Sequence, residues 1–354
     1  MRRCGFASVG LLVSAMLVSV TQVQAQAGSQ PINGAQTAAE EQAVHESPSS
    51  SEIVQSDLIA EQFDALDRIA DKYRRDKARM TGGGWKLRHF YTLLDSPQLT
   101  DKDSQEHIAH LEHWIQQRPE SITARVALAA SLRRWAWVAR GNGQAETVTE
   151  EGWKMFEARI QRSREVLEGA AKLPVMCPQW YSEMMTVGLA QSWDAKQMRD
   201  LFERAVKFEP EYFYYYDQYA NNLLPKWNGE PGQAVAFAKE SADKLGGEAG
   251  DSLYWDIATV FISRSNRNFP VKQMDWQRIQ RGAAVLTERY GATRSSKNQL
   301  AYMAYRYQDA TVTRQQLLLI GEDWAPGVWG QRILFDRARD WCAEQASLAG
   351  GAQK

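Results

Sequence analysis

The 354-residue chain carries 42 Lys and Arg against 43 Asp and Glu. A balance this close to neutral supplies no electrostatic footprint for nucleic acid or for an anionic membrane surface. Beyond Ala25 no stretch is long and apolar enough to span a bilayer, so no membrane insertion is expected there.

The first residues have a three-part layout. Arg2 and Arg3 precede an apolar run from Phe6 to Val20, and Val23 and Ala25 then suit a small-residue cleavage pattern. This order predicts a secretory signal peptide over residues 1–25 and a periplasmic or secreted protein. Cleavage removes Cys4 together with two arginines and no acid. Cys177 and Cys342 remain, and in an oxidising compartment their pairing ties the C-terminal helix to the middle of the chain. The alternative is two buried, inert thiols.

Residues 26–52 are rich in Gln, Ala, Gly, Ser and Pro, with few large apolar groups to offset the entropy of ordering them. They read as a disordered tether, followed by a helical domain over 53–348 and a short disordered tail over 349–354. Helical period begins with Phe63, Leu66, Ile69, Ala70 and Tyr73 on one face. It stops at Gly82-Gly83-Gly84, which lacks the strand and the Gly-Lys-Ser/Thr ending of a phosphate loop and reads as a hinge. His107, His110 and His113 follow on one helix. The helical period rotates the first and last about 120° apart, so a solvated face is expected and no metal site. No cofactor is implied.

The middle of the chain has a repeat-like cadence. Trp180–Gln191 reads as a helix, Ser192-Trp193-Asp194 as a turn, and Ala195–Phe208 as a partner helix closed by Pro210. Tyr212–Leu224 and Gly232–Leu245 follow as a second pair, and Asp251–Ile262 opens a third. Strand signals are absent. The expectation is an all-α fold of stacked antiparallel helix pairs, a tetratricopeptide-like right-handed solenoid without significant sheet.

Several passages carry a family resemblance. They are Gly84-Trp85-Lys86-Leu87 with Phe90-Tyr91, Ala136-Trp137-Val138-Ala139-Arg140-Gly141, and Thr147 to Trp153. Trp180-Tyr181, Gln191 to Asp194 and Leu223 to Gly229 complete the set. With these, the stretch Gly83–Leu245 resembles a bacterial family of exported proteins, domain-of-unknown-function family 4034. The resemblance implies a helical, exported protein and adds no chemistry.

Aromatic residues dominate the candidate surface, with thirteen Trp and thirteen Tyr. Trp137, Trp153, Trp193 and Trp227 fall near expected turns or helix ends. The run from Tyr212 to Tyr219, including Tyr215 and Tyr216, must ring its helix, so part of it is expected outside the core. One reading makes these side chains the wall of a groove; the other makes them filler between helices. The break Ala139–Thr149 is the best loop for function. Arg140 with Glu146, Glu150 and Glu151 suits a charged ligand group, whereas Thr149 followed by two acids equally suits a helix cap.

Three functions are weighed, the third being a purely structural or quality-control role in which the tether over 26–52 gives reach. The first is a non-enzymatic scaffold that binds another envelope protein or an extended peptide in an aromatic-lined groove. The second is an enzyme acting on cell-wall glycan or peptide through carboxylates such as Glu146, Glu150 or Glu151. It requires two acids in different environments about one cleft.

Overall fold

Helix starts are written locally. Asp194 accepts a hydrogen bond from the Gln197 backbone N–H at 2.8 Å, and the Gln197 side chain accepts from the Asp194 N–H at 3.1 Å. This reciprocal cap starts a helix over Ala195–Phe208, whose Met198, Leu201, Phe202 and Ala205 form one buried stripe. Thr100 with Asp103 and Thr293 with Ser296 make similar boxes, and Ser121 and Thr149 cap through their hydroxyls.

The computed structural model describes residues 50–95, 100–141, 145–227, 229–264 and 273–351. The expected signal segment and nearly all of the tether lie outside them. The helices are α1 (Ser50–Ile59), α2 (Phe63–Asp76), α3 (Lys86–Leu94), α4 (Asp101–Gln117), α5 (Ile122–Arg140) and α6 (Glu150–Ala170). They continue as α7 (Pro178–Ala190), α8 (Ala195–Phe208), α9 (Tyr214–Asn222), α10 (Gln233–Leu245) and α11 (Gly247–Arg264). The last five are α12 (Trp276–Tyr290), α13 (Arg294–Tyr307), α14 (Ala310–Ile320), α15 (Pro326–Trp329) and α16 (Arg332–Gly351). Among the described residues there is no strand, and an isolated bridge joins Arg79 to Trp85. The fold is all-α.

Two boundaries differ from expectation. The first helix begins at Ser50, inside the segment read as tether, and the last runs to Gly351, inside the segment read as tail. Val54 and Leu58 explain the first difference, because both are buried against the core.

Neighbouring helices pack in sequence order, most extensively α5 with α6 and α11 with α12. A second set of contacts skips one helix: α5 touches α7, α7 touches α9, and α9 touches α11. Helix α9 is therefore covered by α7, α8, α10 and α11, and this corrects the expectation for the tyrosine run. Tyr212, Tyr215, Tyr216 and Tyr219 are all buried, and Phe213 and Tyr214 half-buried, because the helix has core on nearly every side.

The Gly82–Gly84 segment is a pinned turn and not a hinge. The Gly82 N–H donates to the Gly291 carbonyl at 3.1 Å, and the Met80 N–H donates to the Gly84 carbonyl at 2.7 Å. Gly82 and Gly83 have φ of 83° and 85°, the left-handed region where a side chain is strained.

One ionic network crosses the core. Glu183 of α7 is buried and accepts from the Arg133 Nε of α5 at 2.8 Å, from the Arg88 Nη1 of α3 at 3.4 Å and from Gln179 at 2.9 Å. The Tyr212 hydroxyl donates to Gln179 at 2.5 Å. Burial pushes the Glu183 carboxyl up, but the Arg133 and Arg88 charges outweigh it and hold it below its ordinary value.

Candidate functional site

Helix α6 presents Trp153, Phe156, Glu157, Ile160, Gln161 and Arg164 at the spacings that share one helical face. Across from it stand the end of α7, the turn Ser192-Trp193 and the start of α8. Together they line an open groove with a cavity of about 660 Å³. That volume lies within the range of roughly 300–1,000 Å³ typical of ligand sites.

The turn builds the far wall. Ser192 takes φ of 54°, a left-handed conformation that swings Trp193 back over α7. Gly188 beneath it makes the space, since an added Cβ would lie 2.9 Å from the Trp193 ring. Gln191 then fixes the ring. Its Oε1 accepts from the Trp193 Nε1 at 3.1 Å and from the Arg164 Nη1 at 3.3 Å, and its Nε2 donates to the Gln161 Oε1 at 3.0 Å. The Arg164 guanidinium lies 5.2 Å from the centre of the Trp193 ring.

The near wall leads to a second Trp–Arg cluster. The Arg140 guanidinium lies 5.4 Å from the Trp137 ring and 5.3 Å from the Trp153 ring, so it bridges two indoles. Both rings also pack edge-on against Phe156, at 5.0 Å and 5.7 Å. Trp137, Arg140, Trp153 and Trp193, each singled out in the sequence, thus belong to one continuous surface, with Trp153 lining the groove and touching Arg140.

The other sequence candidates lie elsewhere. Tyr215 is fully buried, and Tyr216 is buried with its hydroxyl donating to the Pro210 carbonyl at 3.2 Å. Burial pushes the Tyr216 phenol up to about 12. Trp227 is 41% exposed and follows α9, apart from the groove. Glu150 is exposed in the first turn of α6, where Thr149 accepts from the Gly152 N–H at 3.0 Å; the helix-cap reading holds for this pair. Glu146 sits in a short 3-10 turn (Ala145–Thr147) and is exposed, and residues 142–144 of the same loop lie outside the described part.

The cysteines correct the proposed bond. Cys177 and Cys342 are both buried and both free. Cys177 Sγ is 3.4 Å from the Tyr91 hydroxyl and Cys342 Sγ is 4.0 Å from the Ala310 carbonyl, so each thiol is enclosed by different helices. The solvated histidine face is also corrected. His107 is buried, and burial, with the His110 and Arg134 charges, lowers it to about 4, leaving a neutral ring at ordinary pH. His113 instead meets Glu61 at 2.8 Å. Among the described residues no three His, Cys, Asp or Glu side chains converge as metal ligands.

Residues 52–167 match the family model described as Domain of unknown function (DUF4034). Over that segment the chain is similar to the DUF4034 family. The matched segment starts at 52 instead of 83 and ends at 167 instead of 245, so the passages at Trp180, Gln191 and Leu223 fall outside it. It runs from α1 almost to the end of α6 and includes Trp137, Arg140, Trp153 and Arg164. Gln191 and Trp193, the opposite wall of the groove, come from beyond the DUF4034 segment. No curated protein matches the chain.

Sequence reasoning missed two features that depend on folding. They are Gly188 as the seat of Trp193 and the buried Glu183 network. Each joins residues that share no local pattern.

Proposed function

We propose that this protein is an exported, non-enzymatic scaffold that holds an extended peptide segment of another envelope protein in the groove between α6 and the α7–α8 turn. The observation that carries the proposal is that Trp153 and Trp193 line one groove, with a glutamine–arginine cluster holding Trp193 in place. Two indole faces offer large contact area at low conformational cost, and a ring already locked loses little entropy on binding.

An extended peptide also brings unpaired backbone N–H and C=O groups that need partners. The groove supplies both kinds. Gln161 and Gln191 each have one amide N–H in a hydrogen bond, to Glu165 and Gln161 respectively, and a second N–H to offer a carbonyl. Glu157 is exposed at the rim and accepts from a peptide N–H. The alternation of inner helices α5, α7, α9 and α11 supports a stacked helix-pair scaffold. Export rests on the charged, apolar and small-residue order of residues 1–25.

The test is an array of short extended peptides probed with purified protein and with a W153A/W193A variant. The reading expects a set of peptides bound by the parent and lost by the variant. Peptides bound equally by both contradict the groove as the site.

A further inference from the structure

The groove between α6 and the α7–α8 turn is one-sided in its hydrogen bonding. The Gln191 Oε1 already accepts from Trp193 and Arg164, the Gln161 Oε1 accepts from Gln191 at 3.0 Å, and the Gln197 Oε1 accepts from the Asp194 N–H at 3.1 Å. What these side chains have left are donors. Gln161 and Gln191 each keep one amide N–H, and Gln197 keeps its amide NH₂. Arg164 has its Nε on Glu168 at 2.7 Å and its Nη1 on Gln191, and keeps the N–H groups of Nη2. The Ser192 hydroxyl serves either way, and Glu157 is the one carboxylate among the described lining residues.

An ordinary extended peptide brings equal numbers of backbone N–H and C=O groups, and an N–H set against a donor surface goes unpaired. Proline has a carbonyl and no N–H. In the polyproline II form a run of prolines makes no internal hydrogen bonds, so its carbonyls stay open to outside donors. Its rings are rigid and apolar, and the half-buried Trp153 and Trp193 offer them aromatic surface. A chain already set in this form loses little entropy on docking. Sugar hydroxyls donate as well as accept, so the same asymmetry counts against a glycan.

We infer that the occupant of the groove is a proline-rich segment in polyproline II form. Its carbonyls accept from Gln161, Gln191, Gln197 and Arg164, and its rings lie against Trp153 and Trp193. Glu157 then takes the N–H of a residue that interrupts the prolines. This occupant narrows the peptide-holding role proposed for the groove and depends on it.

The test is calorimetric titration of the purified protein with two peptides of equal length, one carrying a run of prolines and one with those prolines replaced by alanine. The parent is expected to bind the proline peptide more tightly, on the order of tenfold or more, because each N–H of the alanine peptide left against a donor weakens binding. Gln161 is exposed, so Q161E exchanges a donor for an acceptor without disturbing the core, and it is expected to cut that preference severalfold. Three results overturn the proline-rich occupant while leaving the peptide groove standing. They are equal or tighter binding of the alanine peptide, failure of both peptides while others of the array bind, and a preference unchanged in Q161E. Binding of no peptide at all removes the groove reading as well.

Discussion

Gly188 lies directly under the indole of Trp193, and a methyl group added there would come within 2.9 Å of the Trp193 ring and of the Met198 sulfur. In an exposed helix Gly→Ala adds roughly 1 kcal/mol of stability. Here the rigid ring must move, and overpacking of this kind costs about 1–3 kcal/mol. Gly188→Ala is therefore expected to lower the urea midpoint and shift tryptophan emission as Trp193 leaves its seat. A higher midpoint with unchanged emission would mean that the ring is not held there.

Glu183 gives the second prediction. Replacing it with Gln leaves Arg133 and Arg88 facing a neutral group in the core, and breaking a buried pair from one side costs roughly 3–5 kcal/mol. The same residue sets part of the acid limb. Its folded value is depressed, so its stabilisation is present above the unfolded value and is lost as pH falls toward the folded one. Urea unfolding between about pH 3 and about pH 7 should show a shallower acid slope in E183Q than in the parent. Parallel slopes would remove Glu183 as the cause.

The start of α6 separates a structural role from a binding one. Thr149→Ala removes the hydroxyl that caps Gly152 and should cost about 1 kcal/mol. Glu150→Gln changes only an exposed charge near the helix start and should cost a few tenths of a kcal/mol at most. Neither change touches the groove lining. Peptide binding by folded T149A and E150Q should match the parent, and loss of binding in E150Q would return Glu150 to the site.

The free thiols are checked chemically. Thiol titration of denatured, unreduced protein should find both Cys177 and Cys342 reactive. A peptide pair joining them would contradict their separate enclosure.

Legibility followed the range of the interaction. Helix α8 was readable to the residue, because Asp194, Gln197 and the stripe from Met198 to Ala205 are all local signals. Trp153 and Trp193 were visible as aromatics near turns, and Thr149 as a cap. That the two indoles share a groove was not, because the fold joins α6 to the α7–α8 turn. The tyrosine run misled for the same reason. A helical wheel gives the directions of Tyr212, Tyr215 and Tyr216, but not that α9 is enclosed by four helices.

The most direct test of the account is site-specific photo-cross-linking in the native compartment, with a photoreactive residue replacing Gln197 at the groove and Trp227 outside it. The account predicts one defined protein adduct from the Gln197 position, absent from the Trp227 position and lost when W153A and W193A are combined with the probe. No adduct at Gln197 above background, or the same adduct from both positions, would contradict a peptide held between Trp153 and Trp193.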